Sequence, residues 1–389
     1  VTLKNYQRES LAWMLEKEDT GVHDANYATL RAEDGTEILF SPDFGRFAMS
    51  GSAVRGGLLA EEMGLGKTIE TLGVILCNPR PTPEVGKNNM LLVKNDASCS
   101  AAHRERIERG VLELGGTLVI CKVSLVGQWC DEYKSKLTST TTTVCEYHGS
   151  KRKKYSKKPE LLGAFDLVVT TYETLASEFR AANKAAKLKA AKEPWTCLYP
   201  TAVWDEDKEE DVFTGPACGK VNAAGSIVCG GCSSDIAGNA LGLREAEMRR
   251  TGEVQSPLER FFWHRIICDE SHTLKGTKTS ISSTCCMLAS RNRWCVTGTP
   301  YTLSSEDIYG QLAFLGVQTG KSANKFKWNY ALGSQLLFNL CSQVMMRHSK
   351  TQKRDGKQLL KLGDMVERDL ECPMTKSENK HYQKLFATA

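Results

Sequence analysis

The sequence lacks a long apolar run. No run reaches the roughly 18 residues that a membrane-spanning helix requires, and no signal peptide is visible. We therefore expect no membrane partner. The chain also lacks a strong charge imbalance, since its formal net charge is only +5 at pH 7. A charge of that size is, by itself, weak support for a nucleic-acid partner.

A disulfide framework is absent as well. The 15 cysteines are an odd number, and most lie singly in apolar runs, as Cys121, Cys268 and Cys295 do. This distribution is typical of reduced thiols inside a cell. The 389 residues are 41% hydrophobic and 25% charged, which is ordinary for a globular protein. Because the sequence begins at Val1, we expect a piece of a longer protein.

The most informative stretch is GLLAEEMGLGKT, residues 57–68. Its glycines let backbone N–H groups turn toward an anion, its lysine can reach the β- and γ-phosphates, and its threonine hydroxyl can ligate Mg²⁺. A strand predicted at 58–60 and a helix predicted at 69–76 would direct the helix N-terminus at the phosphates. The residues predicted to bind nucleotide here are Glu62, Met63, Gly64, Leu65, Gly66, Lys67 and Thr68.

A second motif, Asp269-Glu270-Ser271-His272, follows the apolar run 265–268. A strand that ends in two carboxylates supplies one ligand for Mg²⁺, which we assign to Asp269, and one base that activates water, which we assign to Glu270. The two motifs together predict a nucleoside triphosphatase that uses ATP and Mg²⁺.

The remaining segments alternate between strand and helix patterns. Strands are predicted at 117–121, 144–147, 165–171 and 293–296, and the last of these leads into Thr297-Gly298-Thr299. Hydroxyls at that strand end could meet the side chains of the Asp-Glu motif. A helix is predicted over 3–15; its Tyr6 and Gln7 either belong to an amphipathic packing surface or bind adenine, since an amide can both donate to and accept from a base edge.

Two basic segments have two readings each. The first begins at Lys151-Arg152 and follows a predicted strand, where it either contacts phosphate or is a solvated surface. The second, residues 180–192, is rich in alanine and lysine, and a solvated helix face is the simpler reading.

Residues 194–260 interrupt the alternation. Cys229-Gly-Gly-Cys232 has the spacing and the tight turn of a zinc knuckle, Cys218 lies a plausible loop away, and Cys197 could supply a fourth thiolate. The alternative is a loop-rich insertion with free thiols. Zn²⁺ is therefore an open prediction at this point.

The order of these motifs resembles the Swi/Snf family of DNA-dependent ATPases, within the superfamily-two helicases. The segments that carry the resemblance are AEEMGLGKT, SLVGQW, YHGSKR, VVTTYE, DESH and TGTP, between Leu3 and about Leu385. Trp263-His264-Arg265 and the insertions resemble the helicase-like transcription factor subgroup. Departures from the family pattern are Glu61 in place of aspartate, Lys122 in place of proline, and Thr302-Leu303 in place of glutamine and asparagine.

The resemblance implies an α/β fold, a RecA-like P-loop lobe whose parallel sheet is flanked by helices. It implies that Gln7 reads adenine, that Lys67 acts in catalysis, and that His272, Thr297, Gly298 and Thr299 couple hydrolysis to DNA. The segments expected to line a DNA path contain Ser124, Gln128, Lys151, Arg152, Thr170 and Thr171.

The implied domain plan places the lobe at residues 1–315, the cysteine-containing insertion at 194–260, and a helical protrusion and linker at 316–389. The arginine-bearing motif of a second RecA-like lobe is not visible after His348, so we expect that lobe to lie beyond this chain. The implied partners are double-stranded DNA, the second lobe, and nucleosomes or repair factors in the nucleus. A strand-separating helicase and a scaffold that binds ATP and DNA without turnover are the alternatives.

Overall fold

The computed structural model of the chain describes the following residues: 2–21, 28–31, 37–41, 46–49, 54–81, 113–136, 143–192, 194–197, 203–205, 210–212, 218–224, 226, 229–232, 256–276, 279–301, 306–317, 335–354, 356–360 and 370–387. They form two compact units, Val1–Ser349 and Lys350–Ala389. None of the described helices is both long enough and apolar enough to cross a membrane.

The helices and strands are as follows. The helices are α1 (Asn5–Asp19), α2 (Lys67–Cys77), α3 (Val126–Lys136), α4 (Arg152–Lys157), α5 (Tyr172–Lys192), α6 (Ser280–Met287), α7 (Glu306–Leu315), α8 (Gln335–Val344) and α9 (Lys376–Phe386). The strands are β1 (Ala28–Arg31), β2 (Glu37–Ser41), β3 (Arg46–Met49), β4 (Gly56–Leu59), β5 (Glu113–Cys121), β6 (Val144–Glu146), β7 (Leu167–Thr171), β8 (Trp195–Thr196), β9 (Val203–Asp205), β10 (Glu210–Val212), β11 (Val221–Asn222), β12 (Phe261–Asp269), β13 (Ala289–Val296), β14 (Met345–Met346), β15 (Lys353–Arg354) and β16 (Lys357–Gln358).

A seven-stranded sheet is the framework of the first unit, with strand order β14-β4-β13-β12-β5-β7-β6. Every pairing in it is parallel. The carboxyl ends of all seven strands therefore lie along one edge, where ligands of open α/β sheets bind. The predicted fold class, a parallel sheet flanked by helices in a P-loop lobe, is confirmed.

Helices cover both faces of this sheet because neighbouring residues of its strands point to opposite faces. Leu58, Leu118 and Ile266 belong to one apolar cluster, which also takes side chains from α5, α6, α7 and α8. The residues that follow the first two, Leu59 and Val119, belong to a second cluster with side chains of α1, α2 and α3. Strands buried on both faces read as continuous apolar runs, which explains why they were recognisable in the sequence.

Two predicted boundaries differ in the structure. The N-terminal helix was predicted to end near residue 15, but α1 continues through Asp19, and Glu18 in its last turn is fully buried. Apolar residues at helical spacing over 326–346 predict a helix, but the described part of this pattern is α8 followed by β14, and β14 pairs with β4 in the central sheet. The pattern's first residues, 326–334, lie outside the described part. The domain division at residue 315 stays a prediction.

Short antiparallel pairings lie between α1 and β4 and within the predicted insertion at 194–260. Strands β1, β2 and β3 form a three-stranded sheet within residues 28–49. Within residues 194–260, β8 pairs with β11, and β9 pairs with β10. Considered by itself, the second compact unit contains the β15–β16 pair and α9, whose first turn is closed by a capping box between Thr375 and Glu378.

Candidate nucleotide-binding site

The carboxyl edge of the sheet brings the predicted motifs together. The stretch predicted to bind phosphate, residues 62–68 and called the phosphate loop below, comes after β4. The Thr-Gly-Thr segment (297–299) follows β13, and the Asp-Glu motif (269–272) begins at the last residue of β12. These three strands are neighbours in the sheet although β12 and β4 are far apart in the chain. The arrangement follows from strand order and parallel pairing, which place loops from distant segments side by side.

The phosphate loop turns through two glycines with positive φ, Gly64 at 86° and Gly66 at 97°. Gly66 precedes the first residue of α2, so the loop runs directly into a helix N-terminus, a favourable place for an anion. A β-carbon on Gly66 would lie 2.6 Å from Nε2 of Gln7. Glycine is therefore required there both by backbone conformation and by close approach.

Tyr6 and Gln7 of α1 both contact this loop. The hydroxyl of Tyr6 and Nε2 of Gln7 each donate to the carbonyl of Leu65, at 2.9 Å. The Oε1 atom of Gln7 accepts from the backbone N–H of Lys4 at 2.9 Å. The structure thus places both residues against the phosphate loop, and the adenine assignment stays a prediction.

Lys67 lies at the first position of α2. Its Nζ donates to the carbonyl of Glu61 at 2.9 Å, inside the loop where a phosphate would sit. Burial lowers the pKa of Lys67, and the nearby carboxylates of Glu270 and Asp269 oppose that shift. A β-carbon added to Gly298 would lie 2.9 Å from the Met63 side chain and 3.5 Å from this Nζ.

Asp269 is held in place from two sides. Its Oδ2 accepts from the indole N–H of Trp129 at 2.8 Å, and its Oδ1 accepts from the backbone N–H of Glu270 at 2.9 Å. The carbonyl of Asp269 accepts from the Tyr172 hydroxyl at 2.8 Å. Burial raises the pKa of Asp269, and the Trp129 hydrogen bond acts against this. The predicted metal ligand is therefore positioned by residues after β5 and β7, while Thr68, the other predicted ligand, is half-buried in the first turn of α2.

Glu270 has an unusual backbone. Its φ of 50° and ψ of 47° are left-handed, and among the described residues it is the one non-glycine with positive φ. Such a conformation costs about 1–3 kcal/mol and occurs mostly at functional sites. Its Oε2 is buried and accepts no hydrogen bond from the described residues; Nδ1 of His272 lies 3.1 Å away but has hydrogen-bond geometry toward Thr297 instead. An acceptor of this kind is available to a ligand or to a water molecule.

His272 connects the Asp-Glu motif to the Thr-Gly-Thr segment. Its Nδ1 lies 3.1 Å from Oγ1 of Thr297, within hydrogen-bond geometry, and also 3.1 Å from Oε2 of Glu270. Its Nε2 lies 3.1 Å from Nζ of Lys122. Burial lowers the pKa of His272, with Lys122 as the next cause. A neutral ring that donates from Nδ1 and accepts at Nε2 satisfies both contacts.

The loop side of the site contains a network that the sequence did not predict. Buried Glu61 accepts from the backbone N–H of His348 at 2.9 Å, from the Ser10 hydroxyl at 2.8 Å, and lies 2.7 Å from Nδ1 of His348. Arg347 donates to the carbonyls of Ala60 and Gly298. The only signal in the sequence was the departure at Glu61, whose longer side chain reaches the residues after β14.

A second unpredicted carboxyl lies beside the phosphate loop. Burial, with the charge of Glu61 as the next cause, raises the pKa of Glu70 to about 9. Glu70 lies in the first turn of α2, and neither of its oxygens has a hydrogen bond within the described part of the chain. A pKa above 7 favours the neutral, protonated carboxyl at pH 7.

The predicted DNA-contacting residues lie along the same edge but differ in exposure. Ser124 lies in a short 3-10 turn and Gln128 in α3; both are exposed, and Gln128 donates to Glu132. Lys151 forms an ion pair with Glu146, and the guanidinium of Arg152 lies 3.8 Å from Glu178. The helix α3 begins at Val126, two residues after Ser124.

Thr170 and Thr171 are fully buried and bonded within the lobe. The hydroxyl of Thr170 donates to the carbonyl of Tyr147 at 2.9 Å. The hydroxyl of Thr171 accepts from the backbone N–H of Thr174 at 3.1 Å, as a helix-capping residue before α5 does. Their structural roles are clear, and a DNA role for this segment stays a prediction.

Thr299 donates its N–H to Thr297 at 3.2 Å.

The four cysteines of the insertion also come together. The sulfur atoms of Cys197, Cys218, Cys229 and Cys232 all lie within 4.8 Å of one another.

Comparison with known proteins identifies the chain. The family described as SNF2-related domain matches residues 6–389. The chain belongs to this family. The resemblance to Swi/Snf proteins that the motifs indicated is therefore confirmed, and SNF2-related membership applies to both compact units.

Individual relatives of this SNF2-related chain are distant. It is 26% identical over 412 residues to "DNA repair protein RAD5B" of Arabidopsis thaliana, which covers 99% of the chain and 26% of that relative. It is 25% identical over 450 residues to "Helicase-like transcription factor CHR27" of the same plant, covering 100% of the chain and 38% of the relative. "Transcription termination factor 2" of Drosophila melanogaster is 25% identical over 396 residues, covering 99% and 27%. The chain thus spans between about a quarter and two fifths of these relatives.

A solved structure described as "Sulfolobus solfataricus SWI2/SNF2 ATPase core in complex with dsDNA" is also similar. It matches with a TM-score of 0.47 and 19% identity, covering 100% of this chain and 53% of that one.

Proposed function

We propose that this SNF2-related chain is the ATP-binding lobe of a DNA-dependent ATPase that moves along double-stranded DNA. The observation that supports the proposal is the meeting of three loops at the carboxyl edge. Lys67 of the first loop is within electrostatic reach of Asp269 and Glu270 of the second, and His272 of the second bonds Thr297 of the third. A triphosphate bound there would touch all three.

The residues present fit a magnesium–ATP complex. Thr68 and Asp269 would hold Mg²⁺, which when bound neutralises charge on the phosphates. Lys67 now bonds the carbonyl of Glu61, and it would exchange that weak neutral acceptor for a charged phosphate oxygen. Glu270 would orient the attacking water and take its proton; its buried Oε2 lies 3.1 Å from Nδ1 of His272 but accepts no hydrogen bond from the described residues.

Double-stranded DNA is the partner we propose for the exposed part of this edge. Ser124, Gln128, Lys151 and Arg152 follow β5 and β6 and lie where hydroxyl, amide and basic groups could contact phosphates without reading sequence. The contact between His272 and Thr297 would link hydrolysis to that surface. The relatives named for DNA repair and transcription support a nuclear role in repair or chromatin remodelling, with nucleosomes or repair factors as further partners.

Two substitutions test the ATP assignment because they separate binding from chemistry. Lys67→Ala should abolish ATP binding, since it removes the phosphate-contacting charge. Glu270→Gln should retain binding but lower turnover, measured in the complete protein with DNA, by about 10²–10⁴, the contribution of a positioned base. Binding is measured with a fluorescent ATP analogue in the presence of Mg²⁺.

Matched controls are Lys136→Ala, at the end of α3, and Glu16→Gln, on the exposed side of α1. Both should bind and hydrolyse ATP as the unsubstituted protein does. Equal ATP affinity in Lys67→Ala and the unsubstituted protein would contradict the assignment. Wild-type binding without any turnover in the complete protein would favour the scaffold alternative.

A further inference from the structure

The four cysteines of the 194–232 segment form a closed cluster. Cys197 follows β8, Cys218 precedes β11, and Cys229 and Cys232 flank a turn. The sulfurs of Cys197 and Cys232 are 3.5 Å apart, and those of Cys218 and Cys229 are 3.8 Å apart. Four thiolates about 2.3 Å from one tetrahedral ion lie about 3.8 Å from each other, so this set is already near that size.

Backbone hydrogen bonds hold the first two cysteines in place. The N–H of Cys197 donates to the carbonyl of Lys220, and the N–H of Gly219 donates to the carbonyl of Cys197, each at 2.9 Å. These bonds extend the antiparallel pairing of β8 with β11. They place Cys197 opposite the residues that follow Cys218, although the two cysteines are separated by a long stretch of chain.

The turn that carries Cys229 and Cys232 packs against the loop that carries Cys218. Buried Asn222 accepts from the N–H of Gly230 at 2.9 Å and donates to the carbonyl of Lys220 at 3.1 Å, so it joins both loops. The N–H of Gly231 donates to the sulfur of Cys229 at 3.3 Å. A β-carbon on Gly231 would lie 2.9 Å from the sulfur of Cys218. No side chain fits there, so the glycine is part of how the cluster closes.

We infer that these four thiolates bind one Zn²⁺ and that this ion holds the insertion folded. The two sulfur–sulfur distances, 3.5 and 3.8 Å, are too long for the roughly 2.05 Å of a disulfide bond, and no disulfide joins the four cysteines. Four sulfur ligands leave no open position, which is typical of a structural zinc site. Among the side chains described in 194–232, the buried ones are Cys197, Asn222 and Cys229, so apolar packing supplies little there. A segment of that kind takes its folding energy from the metal.

The test is the metal content of the purified chain, residues 1–389, prepared under reducing conditions. Elemental analysis should find about one zinc per chain, and X-ray absorption at the zinc edge should find only sulfur neighbours near about 2.3 Å. The double variant Cys229→Ser/Cys232→Ser should lose the zinc. The matched control Cys77→Ser/Cys372→Ser, which alters two exposed cysteines, should retain it.

Several results would overturn the inference. They are zinc retained in the Cys229/Cys232 double variant, iron in place of zinc, paired disulfides in the intact mass, or metal-free protein whose four thiols are alkylated as fast as Cys77. If the double variant is insoluble, the absorption spectrum of the unsubstituted chain still decides, because nitrogen or oxygen neighbours would contradict a four-thiolate site. Limited proteolysis before and after chelation gives a second readout, since metal removal should increase cleavage of the chain next to the four cysteines.

Discussion

The buried ion pair between Glu18 and Arg265 offers a sharp test of how α1 is attached to the sheet. Both side chains are fully buried. Besides a short contact from Arg265 Nε to Oε1, Glu18 accepts from Arg265 Nη2 at 2.5 Å, from Trp294 at 2.8 Å and from Asn78 at 2.7 Å. The carboxylate therefore joins α1, β12, β13 and the end of α2, and it holds the helix that carries Tyr6 and Gln7.

Glu18→Gln should destabilise the lobe by about 3–5 kcal/mol, because the buried Arg265 charge would keep its hydrogen bonds to Thr117 and Asn78 but lose the opposite charge of Glu18. For a cooperative unit of 349 residues, an unfolding entropy of about 2.1 cal/mol/K per residue converts this to a Tm lower by about 4–7 °C. Differential scanning calorimetry measures the shift. Glu16→Gln, an exposed change on the same helix, should leave Tm unchanged.

The pH dependence of stability provides a second test of the same ion pair. Burial alone would raise the pKa of Glu18, but the charge and hydrogen bonds of Arg265 outweigh it, so the pKa lies below its usual value. The stability from this group is then present above the unfolded-state pKa of about 4.3 and is lost as pH falls through the folded-state pKa. The difference in Tm between the unsubstituted protein and Glu18→Gln should therefore shrink in that acid range. A Glu18→Gln protein that melts within about 1 °C of the unsubstituted one at pH 7 would refute the reasoning.

Two further predictions concern the nucleotide site. Gly66→Ala should weaken ATP binding by about tenfold or more, because it forces a side chain into a backbone conformation that costs about 1–3 kcal/mol and brings that side chain against Gln7. The control is Gly127→Ala, whose added β-carbon meets no atom within 4 Å. Equal ATP affinity in both variants would contradict the loop geometry. Residues 1–389 alone should hydrolyse ATP near background and should not respond to duplex DNA, because the arginine that we propose a second lobe supplies is worth about 10³–10⁵ in rate. Robust DNA-dependent turnover by this chain in a steady-state assay would show that the proposed lobe division is wrong.

The motifs that we propose bind phosphates and metal could be recognised in the sequence because their chemistry is local. Glycines with positive φ, a lysine and a threonine must be consecutive to wrap an anion at a helix N-terminus, as Gly64–Thr68 are. Asp269 and Glu270 are likewise adjacent at the end of a buried strand. The continuous apolar runs of parallel strands made the α/β fold predictable for the same reason.

Contacts between distant segments could not be predicted because strand order has no local signature. Glu61 meets His348 across 287 positions, and Lys122 meets His272 across 150. Neither pair follows from spacing or periodicity. Solvent exposure could not be predicted either: the Thr170 hydroxyl, which the motif suggested for a DNA path, donates to the carbonyl of Tyr147, directly after the neighbouring strand β6.

The amino-acid sequence by itself determined the family, the fold class and the residues of the phosphate loop and the Asp-Glu motif, because each depends on neighbours in the chain. Only the tertiary structure decided that Glu18 is a buried anchor, that Cys197 completes a four-sulfur cluster and that His272 bonds Thr297. These contacts exist because parallel pairing and strand order bring together loops and strands that the chain keeps apart.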